Sequence, residues 1–222
     1  MTKGLYEVLQ FNCIIDDLKT RIRAGWLGWN VSAERLESVA EHCFSALMMA
    51  NTLYPLYPYS YKLNLAKVNL MLIFHEIGET IIGDVPVISK DHATKDAAEH
   101  EAWRKLLRGL PYEDMVFKLL MEFDGHKTLE SKFAYYIDKI DAKKTMKRYY
   151  DQGYFPSLEE CVEKGEMVRE NKTIQELRKK GAKTPLDIWF ADEYAEYKDD
   201  AFFMEVHNLL RAMDTNIAPP KL

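Results

Sequence analysis

The sequence has few cysteines, no long apolar run and no excess of basic residues. Its three cysteines show neither a CxxC motif nor even pairing, which predicts reduced thiols in a cytoplasmic protein: Cys13, Cys43 and Cys161. No apolar stretch approaches the roughly 20 residues that span a bilayer, and the start MTKGLYEVLQ has no signal-peptide pattern, so we expect no membrane partner. The net charge of -5 excludes a broad basic surface for a nucleic acid polymer, although a local cation still permits a small phosphorylated ligand.

Helical periodicity is present along nearly the whole chain of 222 residues. Apolar faces predict a first helix from Leu5 to Ile22, a second from Val39 to Leu53 and a third from about Leu63 to Ile82, which ends at Gly83. Further helices are predicted at about 93–108, 112–123, 128–150, 157–180 and 201–213. Because no long stretch alternates with the period of a strand, we predict an all-α bundle of one domain, or at most two small ones.

Ionisable residues interrupt the third predicted helix in the stretch LIFHEIGETIIGDVP. His75 and Glu79 are four residues apart and share one face, Glu76 lies at its edge, and Asp84 follows the helix end. Residues 65–74 are almost all apolar, so this helix should be buried. Buried ionisable groups cost several kcal/mol unless they are paired or bind a metal. These side chains therefore need partners.

Two further polar groups lie on inward faces of other predicted helices. His42 is bracketed by apolar positions of the second helix, and Asp138 lies among Phe133, Ala134 and Ile137. Two imidazoles and two carboxylates on three buried helices can bind one divalent cation, and such nitrogen and oxygen donors suit Zn, Mn, Fe, Co or Ni. A lone histidine on an apolar face is more often a hydrogen-bonded core residue, so the hypothesis depends on all the groups together.

Several ordered motifs resemble one known family. ESVAEH, HEIGETIIGDVP and LESKFAYYIDKID, with AAEHEAWRKLL and LMEFDGH as landmarks between the last two, are similar to the HD-domain metal-dependent phosphohydrolases, in the branch of the 5'-deoxynucleotidases. The resemblance implies a single HD-type helical domain over residues 1–222, with a motif-bearing core at about 21–150 and a helical extension at about 151–222. It also implies a homodimer and a divalent metal, which can be Mn, Co, Fe, Zn, Ni or Mg.

The same resemblance assigns a role to individual positions. The implied metal ligands are His42, His75, Glu76 and Asp138. Glu79 is implied in catalysis as a proton carrier, and Asp84 is implied at the substrate. Trp26 is expected to pack on the nucleotide, and Arg35 to meet its phosphate. The expected reaction removes the 5'-phosphate of a (deoxy)nucleoside monophosphate and releases a nucleoside and inorganic phosphate.

Two positions depart from the family pattern. Glu76 stands where the family has aspartate, and Gly25 stands beside the tryptophan where an arginine is usual, with Arg23 nearby. If Glu76 only reaches further to the same ion, the family pattern predicts that Glu76→Asp keeps the metal. The departures also leave open a degenerate, non-catalytic interaction protein, which the charged 157–180 segment would suit.

Other enzyme classes give alternative interpretations. HEIGE lacks the second histidine of the HExxH zinc-protease helix. His100 and His126 would supply extra ligands for a two-metal site, as in an HD-type phosphodiesterase, a nucleoside triphosphate hydrolase or a di-iron oxygenase. Metal content separates these classes, because one ion favours the mononuclear hydrolase, two favour the dinuclear enzymes and none favours the binding protein.

Overall fold

The protein is built from helices and turns. The computed structural model describes residues 4–86 and 95–220, and in these ranges the extended pairing is limited to one antiparallel bridge between Ile22 and Ser38. The prediction of an all-α fold is confirmed. None of the helices in the described ranges combines the length and the apolarity that a membrane span needs.

The helices of the described residues are numbered here in chain order. They are α1 (Leu5–Ile15), α2 (Ala24–Gly28), α3 (Val39–Leu53), α4 (Leu65–Phe74), α5 (Glu79–Ile82), α6 (Lys95–Leu107), α7 (Glu113–Gly125), α8 (Leu129–Asp151), α9 (Leu158–Lys164), α10 (Glu166–Glu170), α11 (Lys172–Lys179), α12 (Pro185–Trp189) and α13 (Ala201–Ala212).

The chain forms two compact units. Unit 1 comprises Met1–Ala24 and Glu37–Asp138, and unit 2 comprises Gly25–Leu36 and Lys139–Leu222, each within its described residues. The expected boundary near residue 150 therefore lies inside unit 2. Gly25–Leu36 belongs with the C-terminal helices because Trp26 and Trp29 pack against Trp189, with ring centroids 5.6 and 6.0 Å apart. The prediction of a single domain stays a prediction.

Unit 1 is organised around apolar side chains of α1, α6 and α7. Its main core cluster consists of Phe11, Ile77, Trp103, Leu107, Leu110, Val116 and Leu120. Hydrogen-bonded caps fix where the neighbouring helices begin: Ser38 and Glu41 form a capping box at α3, and Asn64 accepts a hydrogen bond from the Lys67 amide at α4. The expected cap of α8 is confirmed, because Thr128 Oγ1 accepts from the Ser131 amide.

The third predicted helix is not continuous. It ends at Phe74 and resumes at Glu79, and the turn between them is wound by i to i−3 hydrogen bonds from Ile77 to Phe74 and from Glu79 to Glu76. Gly78 explains part of this break, since glycine costs about 1 kcal/mol relative to alanine inside a helix. His75 and Glu79 therefore do not lie on the one continuous helix that the sequence predicted.

Two other predicted helices are also shorter than expected. The first ends at Ile15 and continues as a 3₁₀ turn, after which Ile22 pairs with Ser38 in the antiparallel bridge. The predicted 157–180 helix begins at the expected capping box but is divided by extended residues at Gly165 and Asn171. A Cβ at Gly165 would lie 2.6 Å from the Gly28 carbonyl oxygen, so this close approach requires glycine.

Candidate metal centre

Four buried side chains of unit 1 converge on one point. Their ligand atoms all lie within 4.8 Å of one another: those of His42, His75, Glu76 and Asp138. They come from α3, the C-cap of α4, the turn that follows it, and α8. These are the four residues for which the sequence predicted a metal-binding role, and that role stays a prediction.

The imidazole of His75 has a defined orientation. Its Nδ1 lies 2.9 Å from the Leu72 carbonyl oxygen, which can only accept a hydrogen bond, so Nδ1 carries the proton. His75 Nε2 is buried and has no hydrogen-bond partner among the described residues. A neutral imidazole held by such a backbone bond offers its other nitrogen as a lone pair, which is the form that binds metals.

The distances between the donor atoms resemble those of a coordination shell. His42 Nε2 lies 2.9 Å from Asp138 Oδ1 and 3.9 Å from Glu76 Oε1. His75 Nε2 lies 3.5 Å from Glu76 Oε1 and 3.7 Å from Asp138 Oδ1. Ligands bound at 2.0 to 2.2 Å to one ion lie roughly 3 to 3.6 Å apart, so these four distances are within a few tenths of an ångström of that range.

The charge and chemistry of the group also fit a divalent ion. Two neutral imidazoles and two carboxylates carry a combined charge that a divalent cation neutralises. Burial by itself raises the pKa of Glu76, but the electrostatic effects of the neighbouring His75, Lys95, Arg23 and His42 outweigh it and lower this pKa. Glu76 is therefore ionised, as a ligand must be. The site supplies mixed nitrogen and oxygen donors, which suit a divalent cation such as Zn, Mn, Fe, Co or Ni.

Arg23 lies beside the four-residue group. Its Nη1 is 3.6 Å from Glu76 Oε1 and its Nε is 3.9 Å from Glu37 Oε2. The backbone is fixed on both sides, because the Arg23 amide donates to the Glu37 carbonyl oxygen at 3.1 Å and the Ala24 amide donates to Asp84 Oδ2 at 2.5 Å. Asp84, which the sequence predicted at the substrate, thus has one oxygen bound to the segment that carries Arg23.

Glu79 is nearly enclosed but lies outside the four-residue group. Its side chain is 2% exposed, and its Oε2 has no hydrogen-bond partner among the described residues. Burial raises the pKa of Glu79 well above its usual range, and Glu76 and Asp84 raise it further against the opposing effect of Lys95. This direction favours the protonated form of the Glu79 carboxyl next to Glu76.

Lys95 and Glu99 are parts of this region that the sequence did not reveal. Lys95 Nζ lies 3.6 Å from Glu79 Oε1 and 4.0 Å from Glu99 Oε1. Burial raises the pKa of Glu99 to about 7, with Lys95 lowering it and nearby carboxylates raising it. Burial lowers the pKa of Lys95, but Glu76, Glu99, Glu79 and Asp84 raise it above its usual value. In the sequence, the spacing of four residues between Lys95 and Glu99 is indistinguishable from an ordinary surface ion pair on a helix.

Trp26 and Arg35 belong to unit 2 and are not members of the four-residue group. Trp26 is buried, with its ring stacked on Trp189 at 17° and its edge against Tyr149. Arg35 is exposed in the segment before α3. Their predicted contacts with a nucleotide are not tested by this arrangement and stay predictions.

The histidines proposed for a two-metal site also lie apart from the group. His100 Nε2 is 2.9 Å from Asp124 Oδ2, and His126 stacks on Tyr135 with ring centroids 3.7 Å apart. Neither joins the metal-ligating group found among the described residues. The dinuclear alternative therefore receives no support from these two histidines.

Comparison with known families agrees with this site. The HD domain family matches residues 15–180, which is three quarters of the chain and extends past the residue near 150 where the sequence resemblance ended. The chain belongs to the HD domain family. No curated protein matches it significantly.

Solved structures of other proteins share this fold. The PH0347 protein from Pyrococcus horikoshii OT3 is 20% identical with a TM-score of 0.64, and the alignment covers 91% of this chain and 98% of that one. A conserved hypothetical protein from Pyrococcus furiosus is 21% identical with a TM-score of 0.64, over 92% and 99% of the two chains. At these identities the likeness establishes the fold alone.

A third structure carries a functional description. It is a predicted metal-dependent phosphohydrolase from Magnetospirillum magnetotacticum MS-1, 25% identical with a TM-score of 0.57, and the alignment covers 68% of this chain and 74% of that one. Together with the HD domain, this neighbour supports a metal-dependent phosphohydrolase.

Proposed function

We propose that this HD-domain protein is a metal-dependent phosphohydrolase that removes the 5'-phosphate of (deoxy)nucleoside monophosphates and releases a nucleoside and inorganic phosphate. The observation that carries the proposal is the buried group of two imidazoles and two carboxylates, in which the lone pair of His75 Nε2 has no hydrogen-bond partner among the described residues. The nucleotide as substrate rests on the sequence resemblance to 5'-deoxynucleotidases.

The proposed ligands are His42, His75, Glu76 and Asp138. A bound divalent ion supplies charge neutralisation for the phosphoryl group and activates water at neutral pH. The protein prepares the site by fixing the tautomer of His75 through Leu72 and by keeping Glu76 ionised beside Arg23.

Glu79 is the proposed proton carrier. Its carboxyl is buried beside Glu76, and its raised pKa favours the form that carries a proton close to the proposed reaction point. Delivery of that proton to the leaving sugar oxygen is general acid catalysis, which typically contributes about 10²- to 10⁴-fold in rate. Arg23 and Lys95 are buried cations that favour a phosphate over a neutral ligand.

The remaining parts of the proposal come from the resemblance. Trp26 is proposed to pack on the nucleotide, Arg35 to meet its phosphate, and Asp84 to orient the sugar while it holds the Ala24 amide. A cytoplasmic homodimer is proposed on the same basis.

The decisive experiment measures metal content and phosphate release on the same purified protein. The panel of substrates contains deoxynucleoside and nucleoside 5'-monophosphates, triphosphates and a phosphodiester. We expect about one divalent ion per chain and phosphate release from the monophosphates. A protein that loads metal and hydrolyses none of these compounds contradicts the nucleotidase proposal, and a protein that binds no metal contradicts the enzyme itself.

Glu79→Gln tests the assignment of the proton carrier. This variant keeps the shape of the side chain and removes the transferable proton, so we expect wild-type metal content and a loss of about 10²- to 10⁴-fold in kcat. Glu113→Gln is the matched control, since Glu113 only accepts a hydrogen bond from the Gly109 amide at an exposed turn. Near-normal hydrolysis by Glu79→Gln would end the assignment, and loss of metal would make Glu79 a support for the ligands instead.

A further inference from the structure

A buried ammonium group lies between two carboxyl groups next to the proposed metal centre. Lys95 has a side chain that is 15% exposed, and its Nζ lies 3.6 Å from Glu79 Oε1 and 4.0 Å from Glu99 Oε1. Glu79 Oε2 is enclosed and makes no hydrogen bond within the described residues. The ammonium group is the cation that the protein itself places beside these two acidic side chains.

Close packing between α6 and the turn after α4 creates this arrangement. A Cβ on Gly78 would lie 2.9 Å from Trp103 Nε1 and 3.1 Å from Glu99 Cγ, so only glycine permits the observed approach. Gly78 immediately precedes Glu79, and Lys95 begins α6 one turn before Glu99. The contact therefore brings Lys95 and Glu99 of α6 to Glu79 beside the four-residue group.

We propose that Lys95 takes the place of a second metal ion and thereby restricts the centre to one ion. The proposal rests on the proposed function above. It makes Lys95 a positioning residue, whose ammonium group lies within ion-pair distance of Glu79 and Glu99 and holds the Glu79 carboxyl beside Glu76. In two-metal hydrolases the second ion lies about 3.5–4 Å from the first and is bound by further carboxylates or imidazoles. Here a lysine occupies the position between such carboxylates.

Charge explains why the ammonium and a second ion exclude one another. The ammonium group of lysine is a compact positive charge, and a divalent ion between the same two carboxyl groups would lie next to it. The ammonium and the ion would repel each other strongly, because little solvent is present to screen the two charges. If the ammonium group is removed, Glu79 and Glu99 lose their cationic partner and keep their oxygens. A divalent ion can then bind at that position, with Glu79 releasing its proton and offering Oε2 as an additional donor.

The experiment compares Mn²⁺ stoichiometry in holoprotein variants of the full chain. Lys95→Met keeps the length of the side chain and removes its charge, and Lys95→Arg keeps the charge. Lys105→Met is the matched control, because Lys105 forms an exposed pair with Glu101 on the same helix at the same 3.6 Å. Titration with Mn²⁺, followed by elemental analysis and electron paramagnetic resonance, reports the number of ions and any coupling between them.

We expect Lys95→Met to bind about twice as many ions as wild type and to show an exchange-coupled Mn²⁺ pair, whereas Lys95→Arg and Lys105→Met bind as wild type does. The double variant Lys95→Met/Glu99→Gln should return to the wild-type number, because it removes a carboxylate of the second site. A general loss of packing would not raise the metal content.

Unchanged stoichiometry in a folded Lys95→Met overturns the proposal. If that variant does not fold, wild type still tests the idea: a second tightly bound Mn²⁺ in wild type overturns it, and saturation at one ion supports it. Absence of the first ion in wild type overturns the proposed function together with this inference, whereas an altered second site affects the inference alone.

Discussion

Shortening Glu76 to aspartate tests whether the centre is built around the longer side chain. Glu76 Oε1 lies 3.5 Å from His75 Nε2, 3.9 Å from His42 Nε2 and 3.6 Å from Arg23 Nη1. A single oxygen therefore already faces both imidazoles and the guanidinium. The family pattern alone predicts that Glu76→Asp keeps the metal, but these distances predict a weaker site.

The size of the effect follows from the geometry. Removing one methylene retracts the carboxylate by about 1.5 Å. Metal–ligand distances tolerate only about 0.2 Å, so the shorter arm loses the ion unless the backbone moves. The backbone is restrained, since Glu76 accepts a hydrogen bond from the Glu79 amide and Gly78 packs against Trp103. Misplaced outer partners of metal ligands already cost 10- to 100-fold in affinity, so we expect at least that loss, or about 1.4–2.7 kcal/mol.

The assay is a competition titration of the apoprotein against a chelator of known affinity, with phosphate release measured at saturating metal. Glu113→Asp is the control, because it makes the same chemical change at an exposed position outside the four-residue group. Weaker binding with activity that recovers at high metal concentration would agree with retraction of one ligand. Wild-type affinity in a folded Glu76→Asp would refute the reasoning, and the shell would then tolerate either acid.

Three other outcomes follow from contacts of the described residues. Gly78→Ala should lower the free energy of unfolding by about 1–3 kcal/mol in urea, because its Cβ would meet Trp103 Nε1 at 2.9 Å, whereas Gly125→Ala, with no atom within 4 Å of the new Cβ, should stay within about 1 kcal/mol of wild type. Metal at 100 times its Kd should stabilise the protein by about 2.7 kcal/mol against thermal unfolding, and excess chelator should abolish that gain. Burial, and then the charge of Lys143, lowers the pKa of His207 below its ordinary 6.5, despite the hydrogen bond to Asp192. The free energy of unfolding should therefore be largest above pH 6.5 and should fall as the pH decreases below 6.5, because the folded state resists protonation of this imidazole. His207→Gln should flatten this dependence in urea titrations at pH 7.5 and 5.5.

The residues of the proposed centre were predictable because each one conflicts with its surroundings in the sequence. His42 and Asp138 interrupt apolar stripes that must face a core, and His75 with Glu76 ends a helix that is almost wholly apolar. An ionisable group at such a position needs a partner, and four of them at three separate places favour a common one. The prediction required only the helical period and the cost of burying charge.

The breaks in the helices were not predictable from the 3.6-residue period of the apolar residues. The tighter winding of residues 75–78 lies where Gly78 packs closely against α6, which is distant in the sequence. The same holds for Gly165, whose neighbour is the backbone of Gly28. Local propensity indicates a weak point at each glycine, but the packing partner that turns it into a break is a tertiary feature.

The two cations near the site could not be predicted from the sequence either. Arg23 and Lys95 occur in polar stretches, where a charged residue needs no explanation, and Lys95 even has a helical partner at the usual spacing. Their burial depends on carboxylates contributed by other segments, because a guanidinium or ammonium group stays in water unless an acid accompanies it. Once Glu76 and Glu79 are enclosed, however, nearby cations stabilise them. The apolar sequence pattern that reveals these acids therefore also predicts cations near them, but only the fold determines that Arg23 lies beside Glu76 and Lys95 beside Glu79.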